Sequence, residues 1–370
     1  MIALITEIAV ITALIFAVQI PLRRSGHQRI RAVSFLLKPL LIVAAALSFV
    51  AFDWFASFMY CDILAALYVS LCADTAASFS EYVIRRAVGF IKKREKDPCC
   101  MLKADALLTL VFAAGLTVYG CMNGSSVFRT DVGCSADGLT KSHSFAFVSD
   151  IHAEDAGAAE RLSDICRQIN EQHPEFVILG GDITDELTSY DEMQSTYSIL
   201  SGIEAPVYFI YGNHDRQPGA AFAGGRTYTD DELISAIEAA GIEILQDEYV
   251  KIDDDLVLLG REDMSMGEGR KAWSDLVCPY EGALIVADHQ PYDEAQLAEE
   301  QSALQLSGHT HAGQLFPLQT VYRIMGLPAY GHFTEPGTQL YVTSGGSVWG
   351  PPLRTEEHCE WVLVELYPPQ

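Results

Sequence analysis

Basic residues are scarce in this 370-residue sequence, where 24 lysines and arginines stand against 49 aspartates and glutamates, for a formal net charge of −25. Proteins bind the phosphate backbone of nucleic acids through Lys and Arg side chains that replace its counterions. The composition therefore excludes nucleic acid as an unaided partner. Charged residues make up 20% of the chain and hydrophobic residues 49%, so apolar segments are expected to be concentrated somewhere along it.

The nine cysteines contain no Cys-x-x-Cys spacing. Their spacing fits no metal-binding or disulfide framework. The four cysteines of the C-terminal two thirds of the chain could form one or two disulfides, but their spacing does not indicate which of them pair. These four are Cys134, Cys166, Cys278 and Cys359.

The charge is divided unevenly along the chain. Residues 1–122 hold 12 basic and 8 acidic residues, whereas residues 123–370 hold 12 basic and 41 acidic ones, a net charge of −29. Four apolar runs near residues 2–20, 33–52, 63–79 and 106–122 would each span roughly 26–30 Å as helices, about one hydrocarbon core. We predict an all-α transmembrane region of about four helices over residues 1–122. Four buried core helices of a soluble domain are the alternative, and the third run is the weakest because it contains Asp74.

All basic residues of this region fall within two segments, residues 23–38 and 85–103, and the connection between the second and third runs has none. The positive-inside rule places both basic segments in the cytoplasm. No basic segment precedes the first run, which argues against a cleavable signal peptide. We therefore expect a multi-pass protein of the cell membrane whose chain beyond Met122 lies on the extracytoplasmic side.

Residues 123–142 are rich in Gly, Ser, Thr and Asp and are predicted to form a linker. Over residues 143–370 short β-prone runs repeatedly end in small residues followed by polar ones, as in residues 145–152 (FAFVSDIH) and 176–182 (FVILGGD). Helical stretches such as residues 156–172 lie between them. Strands that alternate with helices predict an α/β domain, with its site at the carboxyl ends of the strands.

Seven side chains at these strand ends are candidate metal ligands. They comprise Asp150, His152, Asp182, Asn213, His289, His309 and His311. The Asp150–His152 and His309–His311 pairs are each two residues apart, so both members point to one side of an extended segment. Carboxylate, amide and imidazole groups suit divalent Mn, Zn or Fe better than a thiolate-binding ion. Seven ligands are too many for one tetrahedral ion and match two ions that share a carboxylate.

With these motifs in this order, residues 143–370 resemble the calcineurin-like metallophosphoesterases. Residues 308–314 (GHTHAGQ) and 345–354 (GGSVWGPPLR) are similar to the membrane-associated branch, which includes UDP-2,3-diacylglucosamine hydrolases and related cell-envelope phosphoesterases. The resemblance implies a four-layer α/β/β/α sandwich with a dinuclear centre. It implies one ion held by Asp150, His152, Asp182 and His311, and a second held by Asp182, Asn213, His289 and His309, with Asp182 bridging them.

The resemblance also implies hydrolysis of a phosphodiester, pyrophosphate or phosphomonoester by attack of a metal-activated hydroxide on phosphorus. We expect His214 to protonate the leaving oxygen and Asp215 to orient its ring; a loop-capping role is the alternative for Asp215. The expected substrate is a lipid-linked or cell-envelope phosphoester. A metal-binding scaffold without turnover, or a transporter or sensor that uses Glu7 and Asp74, are the alternatives from other classes.

Overall fold

The computed structural model describes residues 42, 59–89, 98–153, 156–216, 226–291, 303–335 and 338–369. The chain forms two compact units. The first comprises Met1–Asn123 with the short segments Leu315–Leu318 and Gly350–Thr355, and the second comprises the remainder. The predicted spans at residues 2–20 and 33–52 lie outside the described residues, apart from residue 42.

The third and fourth predicted spans fall on two long helices, α1 (Met59–Gly89) and α2 (Pro98–Ser125). Within α2, the 19 residues Leu107–Ser125 are long and apolar enough to cross a membrane, and no other helix of the described chain meets this criterion. Helix α1 buries Ser70 and Asp74 in its middle, and such polar residues reduce its apolar character. The expectation of four spans is thus supported for one helix, and the spans at residues 2–20 and 33–52 stay predictions.

Within the first unit, the end of α2 packs against Gly350–Thr355. The Arg354 amide donates a hydrogen bond to the Gly120 carbonyl at 3.0 Å, and a Cβ atom on Gly120 would lie 2.3 Å from Leu353 Cδ1. Thr355 Oγ1 lies 3.0 Å from the Tyr68 hydroxyl of α1 and accepts the Phe316 amide at 2.9 Å. Gly350–Thr355 is therefore held against both helices, and Phe316 of the other short segment is bonded to it.

The second unit contains two six-stranded sheets of mixed direction. The first has the strand order β1-β12-β2-β3-β4-β5 and the second the order β10-β11-β9-β8-β7-β6. The strands are β1 Val127–Ser135, β2 His143–Val148, β3 Val177–Leu179, β4 Val207–Phe209, β5 Glu243–Ile244, β6 Glu248–Lys251, β7 Leu256–Gly260, β8 Ala283–Ala287, β9 Leu304–Ser307, β10 Gly331–Glu335, β11 Thr338–Val342 and β12 Cys359–Tyr367.

Helices cover the outer face of the first sheet. The helices of this unit are α3 Ala156–Gln172, α4 Tyr190–Leu200, α5 Asn213–Arg216, α6 Asp230–Ala239 and α7 Leu318–Met325, apart from Leu318, which belongs to the first unit. Helices α4 and α6 each begin with a capping box, in which Ser189 pairs with Glu192 and Thr229 with Glu232, so two backbone amides at the start of each helix are hydrogen-bonded.

The apolar side chains form two cores on opposite faces of the first sheet. Val148, Leu179 and Phe209 pack with Leu162 of α3 and with residues of α4 and α6. Phe147 and Ile178 point the other way and pack with residues of the second sheet, because successive strand residues alternate between faces. This arrangement gives helix, sheet and sheet layers. The fourth, helical layer of the predicted sandwich stays a prediction, since residues 292–302 lie outside the described chain.

The structure corrects the predicted linker, because Val127–Ser135 forms strand β1. It pairs in parallel with β12, with Val127 opposite Cys359. Val132 and Cys134 point inward and are buried, while Asp131, Gly133 and Ser135 are exposed. The alternation of polar and apolar residues over this segment therefore reflects an edge strand with one buried face.

The four cysteines whose pairing was left open are all free thiols. Cys134, Cys166 and Cys359 are buried and Cys278 is exposed. Burial raises the pKa of Cys134 to about 11 and that of Cys166 to about 12. These two thiols are therefore protonated and unreactive at neutral pH.

Asp255 belongs to a hydrogen-bonded group beside β2. Its carboxylate accepts the Thr140 amide at 2.7 Å, the Thr140 hydroxyl at 2.5 Å, and lies 2.9 Å from His143 Nε2. The Thr140 hydroxyl, the Thr140 amide and the His143 ring hold the pKa of Asp255 well below its ordinary value of 3.8. A carboxylate whose pKa is lower in the folded than in the unfolded chain stabilises the fold while it is ionised. This stabilisation is fully present above pH 3.8 and is lost as the pH falls through the folded-state pKa.

Replacing Asp255 by asparagine is expected to lower the free energy of unfolding at pH 7 by about 2 kcal/mol, because hydrogen bonds to a charged group are lost. The deficit relative to the parent chain should shrink as the pH falls below 3.8. Denaturant titrations across this range would measure it. Asp254→Asn, at an exposed neighbouring position, is the control. An asparagine variant as stable as the parent at pH 7 would contradict the assignment.

Candidate metal centre

The seven predicted ligands all follow the carboxyl ends of strands. Asp150 and His152 follow β2, Asp182 follows β3, and Asn213 opens α5 after β4. These three strands are parallel neighbours in the first sheet. His289, His309 and His311 follow β8 and β9, which are parallel neighbours in the second sheet. The ligands therefore gather where the ends of both sheets meet, as the strand-end pattern predicted.

The backbone at this site is strained. Five of the seven residues have left-handed backbone angles, with φ of 55° at Asp150, 44° at His152, 53° at Asp182, 70° at His309 and 49° at His311. A non-glycine residue in this region costs about 1–3 kcal/mol, and such residues cluster at functional sites where the surroundings hold them. The fold thus maintains this constellation at a cost to stability.

Asp150, His152 and His311 form a first buried cluster. The Nε2 atoms of His152 and His311 are 3.1 Å apart, and His311 Nε2 lies 3.5 Å from Asp150 Oδ1. Two imidazoles that bind one ion at about 2.1 Å would have nitrogens about 3 Å apart when the angle between them is near 90°. The spacing of these nitrogens therefore matches two ligands of a single cation.

Asp182, His289 and His309 form the second cluster. His289 Nε2 lies 2.9 Å from Asp182 Oδ2, and His309 Nδ1 lies 2.8 Å from Asn213 Oδ1. The same Asp182 oxygen is 4.0 Å from His152 Nε2 of the first cluster. Asp182 therefore stands between the two clusters, where a bridging carboxylate would be required.

Hydrogen bonds orient two of the imidazoles. His289 donates from Nδ1 to the Gly180 carbonyl at 2.8 Å, and His152 Nδ1 lies 3.3 Å from Asp185 Oδ2. Each contact leaves Nε2 directed at the centre, as metal-bound histidines require. Asp185, three positions after Asp182, is a site residue that no sequence motif indicated.

The charges of the two clusters suit divalent cations. Burial raises the pKa of Asp150, and the nearby Asp182 carboxylate raises it further. Burial also opposes ionisation of Asp182, but the neighbouring imidazoles of His289 and His214 hold its pKa well below the ordinary value. Burial lowers the pKa of His309 to about 4, so its ring is neutral with a lone pair available. Two divalent ions here would offset two buried carboxylates.

Close backbone approach also favours this arrangement. A Cβ atom on Gly212 would lie 2.2 Å from Asp182 Oδ1 and 2.6 Å from the Asp182 amide. A Cβ atom on Gly308 would lie 2.2 Å from Asp150 Oδ2. At each glycine a carboxylate occupies the space that a side chain would need. This explains why glycine stands at positions 212 and 308 beside the candidate ligands.

His214 lies next to the first cluster, with its ring centroid 5.2 Å from that of His152. Its Nδ1 lies 2.8 Å from Glu186 Oε2, and its backbone amide donates to Asp182 Oδ1 at 2.7 Å. The residue that contacts the ring is thus Glu186, where the sequence argument had assigned Asp215. Pairing at Nδ1 leaves Nε2 as the nitrogen that can deliver a proton.

Asp215 has the loop-organising role that was the alternative for it. Its carboxylate accepts the amides of Asp182 and Gly212 at 2.8 Å and those of Ile183 and Thr184 at 3.0 Å. Burial, reinforced by the Asp182 charge, raises its pKa to about 6. Asp215 therefore shapes the turn that presents Asp182, and we reassign it from orienting His214 to supporting the ligand backbone.

A comparison with protein families matches residues 143–313 to the calcineurin-like phosphoesterases. Residues 143–313 form a calcineurin-like phosphoesterase domain. The family resemblance found in the sequence is thereby confirmed, and the ligand clusters lie within the matched residues.

Curated relatives of this phosphoesterase domain come from animals and bacteria. A Danio rerio protein named transmembrane protein with metallophosphoesterase domain is 30% identical over 286 residues, which are 71% of this chain and 62% of that protein. An uncharacterized metallophosphoesterase of Helicobacter pylori is 26% identical over 294 residues, covering 76% and 74%. Phosphodiesterase YaeI of Escherichia coli is 27% identical over 236 residues, covering 60% and 80%. The chain spans less than two thirds of the Danio rerio relative.

An aromatic side chain lies beside His214 of the phosphoesterase domain. The Trp349 ring centroid is 5.5 Å from that of His214. Trp349 is tied to Gln314 by two backbone contacts, since its amide donates to Gln314 Oε1 at 3.0 Å and its carbonyl accepts from Gln314 Nε2 at 3.0 Å. The last residue of the GHTHAGQ motif thus fixes an aromatic wall next to His214, a contact the sequence argument did not predict.

Proposed function

We propose that this chain is a membrane-anchored, metal-dependent phosphoesterase that hydrolyses a phosphodiester. The observation that carries the proposal is the position of Asp182, whose Oδ2 lies 2.9 Å from His289 Nε2 and 4.0 Å from His152 Nε2. Asp150, His152, Asp182 and His311 would hold one divalent ion, and Asp182, Asn213, His289 and His309 the other. Mn, Zn and Fe suit these ligands.

Two such ions, when bound, supply positive charge beside the phosphoryl oxygens and a water molecule of lowered pKa. The side chains of the protein then have defined tasks. Asp182 holds the two sites together. It also fixes the His214 backbone by accepting a hydrogen bond from the His214 amide. His214 protonates the leaving oxygen from Nε2 while Glu186 holds Nδ1, so the departing alkoxide is neutralised as it leaves.

Membrane anchoring and substrate class belong to the same proposal. Helix α2 contains a segment long enough to cross a membrane, and the Danio rerio relative is named a transmembrane protein. The name of the Escherichia coli relative favours a diester. We propose several spans before residue 123, the phosphoesterase domain on the extracytoplasmic side, and a substrate that is a lipid-linked or cell-envelope phosphoester.

The test uses the full chain reconstituted in lipid nanodiscs with added Mn²⁺. Hydrolysis of an aryl phosphodiester, an aryl phosphomonoester and a phosphodiester carried by a lipid of the bilayer would be measured side by side. Diester turnover that depends on the metal supports the proposal. Metal bound without turnover of any ester would favour a non-catalytic scaffold.

Replacing Glu186 by glutamine is expected to slow hydrolysis of alkyl phosphodiesters by roughly 10–100-fold, the range for residues that orient a functional side chain. The loss should be much smaller for aryl esters, because an aryl oxide leaves without prior protonation. Rates over a series of leaving groups would measure this difference. An equal loss for all leaving groups would contradict a role through His214. Glu192→Gln, in the first turn of α4, is the control for a general effect of the substitution.

A further inference from the structure

An exposed apolar segment follows the metal ligands of β9 directly. Phe316 is 55% exposed, and Ile324 and Met325 at the end of α7 are 80% and 63% exposed. On the same short helix Leu318 is buried, so α7 anchors one side in the protein and presents large apolar groups on the other. Apolar groups of this size in one short segment indicate a surface that meets an apolar partner.

The charge around this segment differs from that of the rest of the domain. Residues 301–355 contain one acidic residue, Glu335, although residues 123–370 contain 41. Arg323 lies on α7 between the apolar groups. Membrane surfaces with anionic lipids carry a negative potential that attracts Lys and Arg and repels carboxylates. Glu356 and Glu357 contact Gln319 in the first turn of α7, whereas Arg323 lies in its last turn. The last turn is therefore the end of the helix suited to approach such a surface.

The start of the segment also belongs with the apolar helix α2. Leu315–Leu318 lies in the first unit together with Met1–Asn123. The Phe316 amide donates to Thr355 Oγ1 at 2.9 Å, and the neighbouring Arg354 amide donates to Gly120 O, in the last turns of α2, at 3.0 Å. Phe316 is therefore held by the segment that packs against the C-terminal end of the candidate membrane helix.

We propose that residues 316–325 form an interface segment that inserts Phe316, Ile324 and Met325 into the surface of the bilayer, with Arg323 at the level of the lipid headgroups. The proposal rests on the membrane anchoring proposed above. A short amphipathic helix with apolar and basic residues is suited to lie in the plane of this interface. The occupant of this surface is the lipid bilayer itself.

This position would define where the substrate is met. Phe316 lies five positions after His311, and five extended residues reach at most roughly 18 Å. The headgroup region on each side of a bilayer is roughly 5–8 Å thick. With residues 316–325 at the interface, the candidate metal centre would lie within that distance of the bilayer surface, which suits a phosphoester carried by a membrane lipid.

Fluorescence quenching by lipid tests the insertion without any need for turnover. Ile324→Trp and Val277→Trp full-length chains would be reconstituted into nanodiscs of either ordinary or brominated phosphatidylcholine. Val277 is also 80% exposed, but lies in a different loop, so it is a matched control. The four native tryptophans contribute equally to both variants, and aryl phosphodiester hydrolysis would be measured on the same samples.

Brominated lipid is expected to remove most of the emission added at position 324 and none of that added at position 277. Equal quenching at both positions, or none at position 324, would overturn the inference. A blue-shifted emission at position 324 without quenching would indicate that a second copy or another protein covers the segment, and would also overturn it. Quenching at position 324 in a chain that lacks turnover would support the insertion and count against the proposed catalysis alone.

Discussion

Replacement of Asp182 by asparagine is expected to slow phosphoester hydrolysis by about 10²–10³-fold, the loss found when one group that stabilises transition-state charge is removed. The Asp182 carboxylate lies between the two histidine clusters. An amide carries no charge to offset two cations, and it cannot bridge them through two anionic oxygens. Both sites should therefore lose affinity for metal together, although Asp182 is grouped by its short distances with His289 and His309 alone.

Metal content and turnover would be measured on the same purified chains in nanodiscs. Asp164→Asn is the matched control, because it makes the same chemical change on the exposed surface of α3, where Asp164 contacts Arg167. It should retain both metals and full activity. An Asp182→Asn chain that loses only one metal, or keeps its turnover, would show that Asp182 does not bridge.

Replacement of His214 by alanine is expected to reduce hydrolysis of alkyl phosphodiesters by about 10²–10⁴-fold, the usual contribution of a general acid. The loss should fall steeply as the leaving group becomes more acidic, because a stable aryl oxide needs no proton to depart. His214 lies beside the ligands, but its ring is held by Glu186. Metal content should therefore be largely retained.

The measurement is the dependence of the turnover rate on the pKa of the leaving group, for the parent chain and the alanine variant. A steeper dependence in the variant supports proton delivery by His214. A uniform loss across the series, or a parallel loss of metal, would indicate that His214 holds the site together instead. His173→Ala, outside the motifs, is the control for loss of a histidine.

The close approach of the seven candidate ligands was predictable from the sequence because each follows a short apolar run, and parallel strands of one sheet end at the same edge. The partner of His214 was not predictable. Glu186 lies 28 positions before His214 in the chain, and their contact depends on how the loop after β3 folds back. Asp215 was the nearest carboxylate in sequence, but adjacent residues in a tight turn point apart, and its oxygens face the backbone amides instead.

The same limit applies to the chain around the membrane region. Strand β1 pairs with β12, more than 200 residues away, so a segment rich in polar and small residues gave no local sign of its partner. Hydropathy likewise identified residues 63–79 by composition, whereas α1 buries Ser70 and Asp74. Local sequence patterns predicted the metal-site motifs, but they did not predict which distant segments pair.

The central claim is that two metal ions share Asp182. Electron paramagnetic resonance of the Mn²⁺-loaded full chain, with metal content measured on the same sample, tests it most directly. We predict about two Mn²⁺ per chain and a spectrum of exchange-coupled ions, which becomes that of isolated ions or disappears in the Asp182→Asn chain. One Mn²⁺ per chain, or two that give uncoupled spectra, would contradict the account.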